Sequence, residues 1–181
     1  MNPGYKYNVG IRFGLLTGLI YIILLFVRYH FAALNPIFIG VFTLVTYLVI
    51  LMLFLFTGIA RKKELGGSGE MNEIFQSIFI AILITELFYV FFNLIYFKFI
   101  DPAFWDNFKA TSLSFMEKAG LTKEEIDEKM KGFKDFGQET KPIELIKGYG
   151  TGVVVDSIFG LIFAALLRKK KSVLISEEPK K

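Results

Sequence analysis

The stretch from Ile74 to Ile100, IFQSIFIAILITELFYVFFNLIYFKFI, is long enough to cross a bilayer and almost wholly apolar, yet it carries Glu86 in its middle. Three further apolar blocks lie at about residues 9–29, 37–60 and 142–168. Each is near the ~20 residues that an α-helix needs to span a hydrocarbon core. A chain of 181 residues that is 54% hydrophobic, with its apolar residues gathered in such blocks, takes lipid as its solvent. The expected fold is all-α: an integral membrane four-helix bundle forming one domain over residues 1–181. The first block lacks a small-residue cleavage site and a second block follows closely, so it reads as a retained anchor.

Charge sets the expected orientation. Arg61, Lys62 and Lys63 follow the second block, and Arg168 to Lys171 follow the fourth. By the positive-inside rule both clusters face the cytoplasm, which four spans with both termini inside satisfy. Lys6 and Arg12 fit the same orientation. The expected location is therefore the cytoplasmic membrane, with the lipid bilayer as the first partner. The net charge of +4 is no nucleic-acid signal, because the basic residues flank apolar blocks instead of covering one face. Cysteine is absent, which excludes disulfides and thiolate chemistry. The single histidine, His30, makes no metal site, and no metal or other cofactor is expected.

Local signals subdivide the chain. Asn35-Pro36 predicts a turn into the second span. That span, Ile37 to Ala60, holds no charge and is the block closest to a plain lipid-facing helix. Residues 101–141 are different in kind, charged and helical, and are expected as an extracytoplasmic amphipathic hairpin between spans three and four. Asp101 caps its first helix, Pro102 takes the first position and Gly120 ends it. Thr122 to Glu125 has the form of a capping box opening a second helix that ends near Gly137. Phe104, Trp105, Phe108, Phe115 and Met116 form an apolar face on the first helix, and Ile126, Met130, Phe133 and Phe136 on the second.

The run RKKELGGSG, a span ending YFKFIDP, a charged external helix pair and a final span ending RKKK resemble a domain-of-unknown-function family of small bacterial four-span membrane proteins. The resemblance implies a bacterial cytoplasmic membrane and four helices. It brings no assigned activity and no catalytic residues.

Two small-residue stripes predict close helix packing. Gly10, Gly14 and Gly18 recur at i+4 in the first span, for contact within the chain or between copies. Gly148, Gly152, Asp156, Gly160 and Ala164 recur likewise in the fourth. Ionisable groups within spans are expensive, about 3 kcal/mol at a helix centre, and so point to function. Glu86 lies roughly 18 Å from the start of its span and Asp156 roughly 16–17 Å from the end of the antiparallel fourth span. The two carboxylates therefore sit at similar depth. Tyr89, Asn93 and Tyr96 continue a polar strip from Glu86 at i+3, i+7 and i+10. Two carboxylates in a low-dielectric site cannot both ionise cheaply, so the pair suits uptake of a proton or a cation. In the competing reading Arg28, roughly 7 Å from Glu86 in depth, bridges to it as a structural ion pair.

No HExxH, nucleophile elbow or P-loop is present, so no enzyme is expected. Two functions follow. The first is a non-enzymatic accessory subunit that packs against a membrane-protein partner or a second copy, motivated by the Gly10-Gly14-Gly18 stripe and the hairpin aromatics. The second is a small proton- or cation-coupled transporter or channel subunit built on Glu86 and Asp156.

Overall fold

A computed structural model describes residues 8–133 and 141–168. Lys6, Phe136 and the lysines after Arg168 lie outside them, and the second hairpin helix, expected to end near Gly137, ends at Lys131. The described chain is all-α. Four long helices are apolar enough to cross a membrane: α1 (Asn8–Leu34), α2 (Ile37–Glu64), α3 (Met71–Ile95) and α6 (Pro142–Leu167). Two shorter ones, α4 (Phe104–Lys118) and α5 (Lys123–Lys131), lie between α3 and α6. Large apolar side chains stand exposed along the long helices, among them Leu19, Ile23, Leu44, Met52, Phe91 and Leu166. In water such a surface would drive aggregation; around a bundle of this length it is the face that meets acyl chains.

Helix ends follow local chemistry. Asn35 Oδ1 accepts the Ile37 N–H at 3.0 Å and so starts α2, with Pro36 just outside the helix. α3 starts at Met71, three residues before the apolar run, because Glu70 and Glu73 form a capping box that carries the helix back into polar sequence. Past Ile95 it continues as a π-helical turn, Tyr96–Ile100, closed by the Asp101 N–H on the Tyr96 carbonyl at 2.8 Å. That wider turn buries the consecutive Tyr96 and Phe97 together. α4 starts later than Pro102 suggests: Pro102 and Ala103 form a turn, and Asp101 contributes only its backbone carbonyl, to Phe104.

Gly120 ends α4 with φ +78° in a Schellman arrangement, its N–H on Glu117 and the Leu121 N–H on Met116. Thr122 then opens α5 with the expected capping box. The Thr122 backbone N–H and hydroxyl both donate to the Glu125 carboxylate, at 2.8 and 3.0 Å. These bonds, the backbone one first, hold the Glu125 carboxyl below the usual carboxylate range. A lowered folded-state value stabilises above the unfolded value of about 4.3, and the effect is lost as pH falls through the folded value. α5 is therefore expected to fray below about pH 4. Thr122→Ala should weaken α5 by about 1 kcal/mol at neutral pH. Amide exchange resolved along α5 checks both.

Within the bundle α3 is central and touches α1, α2 and α6, while α2 touches α1, α3 and α6. The Gly10-Gly14-Gly18 stripe packs on α3. A β-carbon at Gly10 would lie 2.6 Å from the Ser77 carbonyl oxygen, at Gly14 3.0 Å from the Ala81 Cα, and at Gly18 2.6 Å from the Phe88 ring. The stripe thus makes a contact within the chain. The hairpin folds over the span ends: Phe104 and Phe108 of α4 are buried with Leu25, Tyr29, Ala32, Phe92, Tyr96 and Phe97. Phe115, expected on the same face, is exposed.

Candidate functional site

Each of the four long helices brings a polar side chain to one cleft of about 560 Å³. α1 supplies Tyr21, α2 Tyr47, α3 Glu86 and Tyr89, and α6 Thr151, Gly152 and Asp156. The cleft mouth lies at the bundle end that carries the hairpin, flanked by Glu144 and Lys147, an ion pair at 2.8 Å. Counted along α6, Asp156 sits roughly 13 Å below Lys147. Beyond it, toward the end carrying Arg61 and Arg168, Ile50, Phe54, Ile74, Ile78, Ala81, Ile82 and Ala164 form a packed apolar cluster. Polar groups therefore line the cleft toward the hairpin end, and apolar packing closes it below.

Glu86 and Asp156 meet there, as their calculated depths predict. Both are buried, at 5% and 3% exposure, and their carboxyl groups are within hydrogen-bonding reach of each other. A hydrogen bond between two carboxyl groups needs a proton on one of them. Tyr47 donates its hydroxyl to Asp156 Oδ1 at 3.2 Å. Gly152 makes the meeting possible, because the Glu86 carboxyl occupies the space that a β-carbon at 152 would fill. Gly160 continues the close approach, with Ile78 and Ile82 against it. Gly148 does not: nothing lies within 4 Å of a β-carbon placed there, so the expected packing role is corrected to that of a cleft-lining residue.

A testable consequence follows at Gly152. Gly152→Ala pushes a methyl group into the Glu86 carboxyl, which can swing aside, and is expected to destabilise the bundle by about 1 kcal/mol, the low end of overpacking. In a Glu86→Ala background that space is vacant, so the same change should cost almost nothing more. Thermal unfolding of the four proteins in detergent measures the coupling.

Arg28 makes no ion pair with Glu86 among the described residues. Its Nη2 donates to the Tyr29 hydroxyl at 2.8 Å, its Nη1 reaches Thr43 Oγ1 at 3.4 Å, and the guanidinium lies 4.8 Å from the Tyr29 ring centre. Tyr29 in turn donates to Asn93 Oδ1, while Asn93 Nδ2 donates to the Tyr89 carbonyl at 2.9 Å. The polar strip expected on α3 is therefore split. Glu86 and Tyr89 face the carboxyl cleft, Asn93 belongs to the Arg28 group, and Tyr96 is buried in the aromatic cluster under α4. The reason is axial: Asn93 and Tyr96 lie about 10 and 15 Å along α3 from Glu86 at 1.5 Å of rise per residue, and different neighbours meet them there. The stacked Tyr21 and Tyr89 rings, 5.3 Å apart, stand beside both groups.

Tyr47, Tyr21, Tyr29 and Thr43 carry no sequence signal of comparable strength. Tyr21 does continue the glycine stripe at i+3 from Gly18. Tyr47 lies in the charge-free second span, whose reading as a plain lipid-facing helix is corrected by its buried stripe of Thr46, Ile50, Phe54, Thr57 and Gly58. Among the described residues no three His, Asp or Glu side chains converge as a metal ligand set.

A family model described as a protein of unknown function (DUF4199) matches residues 12–169. No curated protein and no solved structure matches the chain.

Proposed function

The chain belongs to the DUF4199 family of proteins of unknown function, and from that premise we propose that it handles protons in the membrane, with Glu86 and Asp156 as the loading site. One observation carries this: two mid-membrane carboxyl groups, drawn from separate helices, converge in a cleft open at one end. Intramembrane carboxyls that line a water-filled cavity are the usual elements of proton relays. Two neighbouring carboxyl groups in a low-dielectric site cannot both ionise cheaply, which favours a proton held on one of them. Tyr47 steadies Asp156 from the opposite side. The proton enters from the hairpin end, along the polar lining of the cleft, and the apolar cluster below Glu86 blocks leakage until the helices shift. By the positive-inside rule the end with Arg61 to Lys63 and Arg168 faces the cytoplasm, in the cytoplasmic membrane.

Support for an accessory subunit is weaker. The glycine stripe and the buried hairpin aromatics, the two features that motivate it, are engaged inside the chain. The test is reconstitution of the full chain into liposomes holding a pH-sensitive dye. Protein-containing vesicles should relax an imposed pH gradient faster than empty ones. Identical relaxation, with either potassium or sodium present, defeats the proposal.

A further inference from the structure

A second cavity, about 180 Å³, lies above the carboxyl cleft and meets it at Tyr89, Glu144 and Gly148. Its polar wall is Arg28, Thr43 and Asn93; its apolar wall is Ile39, Phe97 and Trp105. Arg28 is the unusual member. A guanidinium stays charged at any accessible pH and offers five donors. Within a span such a charge is expensive unless it is paired. Yet its hydrogen-bond partners among the described residues are two neutral hydroxyls, one of them at a long 3.4 Å, and its Nε is buried without one. The acid that lines the same cavity, Glu144, is held by Lys147. Among the described residues the positive charge is thus placed beside an open space with no carboxylate paired to it.

We propose that this cavity binds a small organic carboxylate, its charged end on Arg28 and its apolar body against Phe97 and Trp105. One cation matches a monoanion better than a phosphate dianion. The volume suits a body of about one benzene ring, which an apolar cavity of roughly 150 Å³ accepts. The inference deepens the proton-handling proposal by naming what travels with the proton, and for transport it rests on that proposal. Binding itself is measured without any proton movement, so either can fail while the other stands.

Trp105 is the single tryptophan of the chain and lines the cavity, so its fluorescence reports directly. The purified full chain in detergent is titrated with benzoate, with benzamide as the neutral isostere, and with inorganic phosphate. Benzoate should give a saturable change, and benzamide and phosphate should bind roughly tenfold or more weakly, because a charge-assisted bond is lost or mismatched. Arg28→Gln should weaken benzoate by a similar factor. Should Arg28→Gln not fold, Gly148→Leu fills the cavity from a position where an added β-carbon meets nothing, and it should abolish the benzoate response. No saturable benzoate response, equal binding of benzamide, tighter binding of phosphate, or benzoate binding that survives Arg28→Gln or Gly148→Leu would each overturn the inference.

Discussion

Glu86→Gln combined with Asp156→Asn is expected to bring proton movement in liposomes down to the protein-free background while the protein becomes no less stable. Each amide keeps the shape and most of the hydrogen-bonding capacity of the acid it replaces. What disappears is the exchangeable proton and the expense of holding ionisable groups inside the membrane, about 3 kcal/mol for one at a helix centre. Loss of flux with unchanged or raised thermal stability is the signature of a site kept for function at some expense of stability. Structural glue predicts the opposite pair of results: flux intact and stability lowered, because the Tyr47–Asp156 hydrogen bond and the packing of the Glu86 carboxyl on Gly152 hold three helices together. Measuring gradient relaxation and detergent unfolding on the same preparations separates the two outcomes. Flux that persists in the double variant removes the carboxyl pair from any role in proton handling.

Gly14→Leu is expected to unfold much of the bundle. The β-carbon alone would sit 2.9 Å from the Ile84 Cβ and 3.0 Å from the Ala81 Cα, and the second of these is backbone that no rotamer change can move. Overpacking of this kind costs about 3 kcal/mol or more, since the leucine also adds three carbons beyond Cβ. Gly40→Leu in α2 and Gly150→Leu in α6 are matched controls, because nothing lies within 4 Å of an added β-carbon at either site. These two should change the unfolding temperature little. If the stripe were instead a seam between copies, Gly14→Leu would shift the oligomeric state and leave the monomer's unfolding temperature where it was. Light scattering and thermal unfolding, read together, decide between the two.

Several local features were legible at the level of residues. The Gly120 stop and the Thr122 capping box are set by positive φ and by side-chain bonds three residues away, both local chemistry. The common depth of Glu86 and Asp156 followed from the constant rise of an α-helix. The π-turn at Tyr96 was not legible, because an extra residue in a helical turn leaves no mark in hydropathy and is imposed by packing Tyr96 and Phe97 under α4. Nor was the partner of Arg28, which depth alone pointed toward Glu86 and which rotation about α1 directed instead to Tyr29 and Thr43.

The sequence by itself determined the solvent, the number of rods, the helix signals at Gly120 and Thr122, and the common depth of Glu86 and Asp156. Run length is matched to bilayer thickness, and helical rise hardly varies. Only the tertiary structure decided how each rod is turned about its own axis. A helix that is apolar all round has no face that lipid tails prefer over its neighbours, so composition cannot say which side is buried. That rotation is what sends the first glycine stripe against α3, tucks the Glu86 carboxyl into the space left by Gly152, and brings Tyr47 from an unremarked span to Asp156.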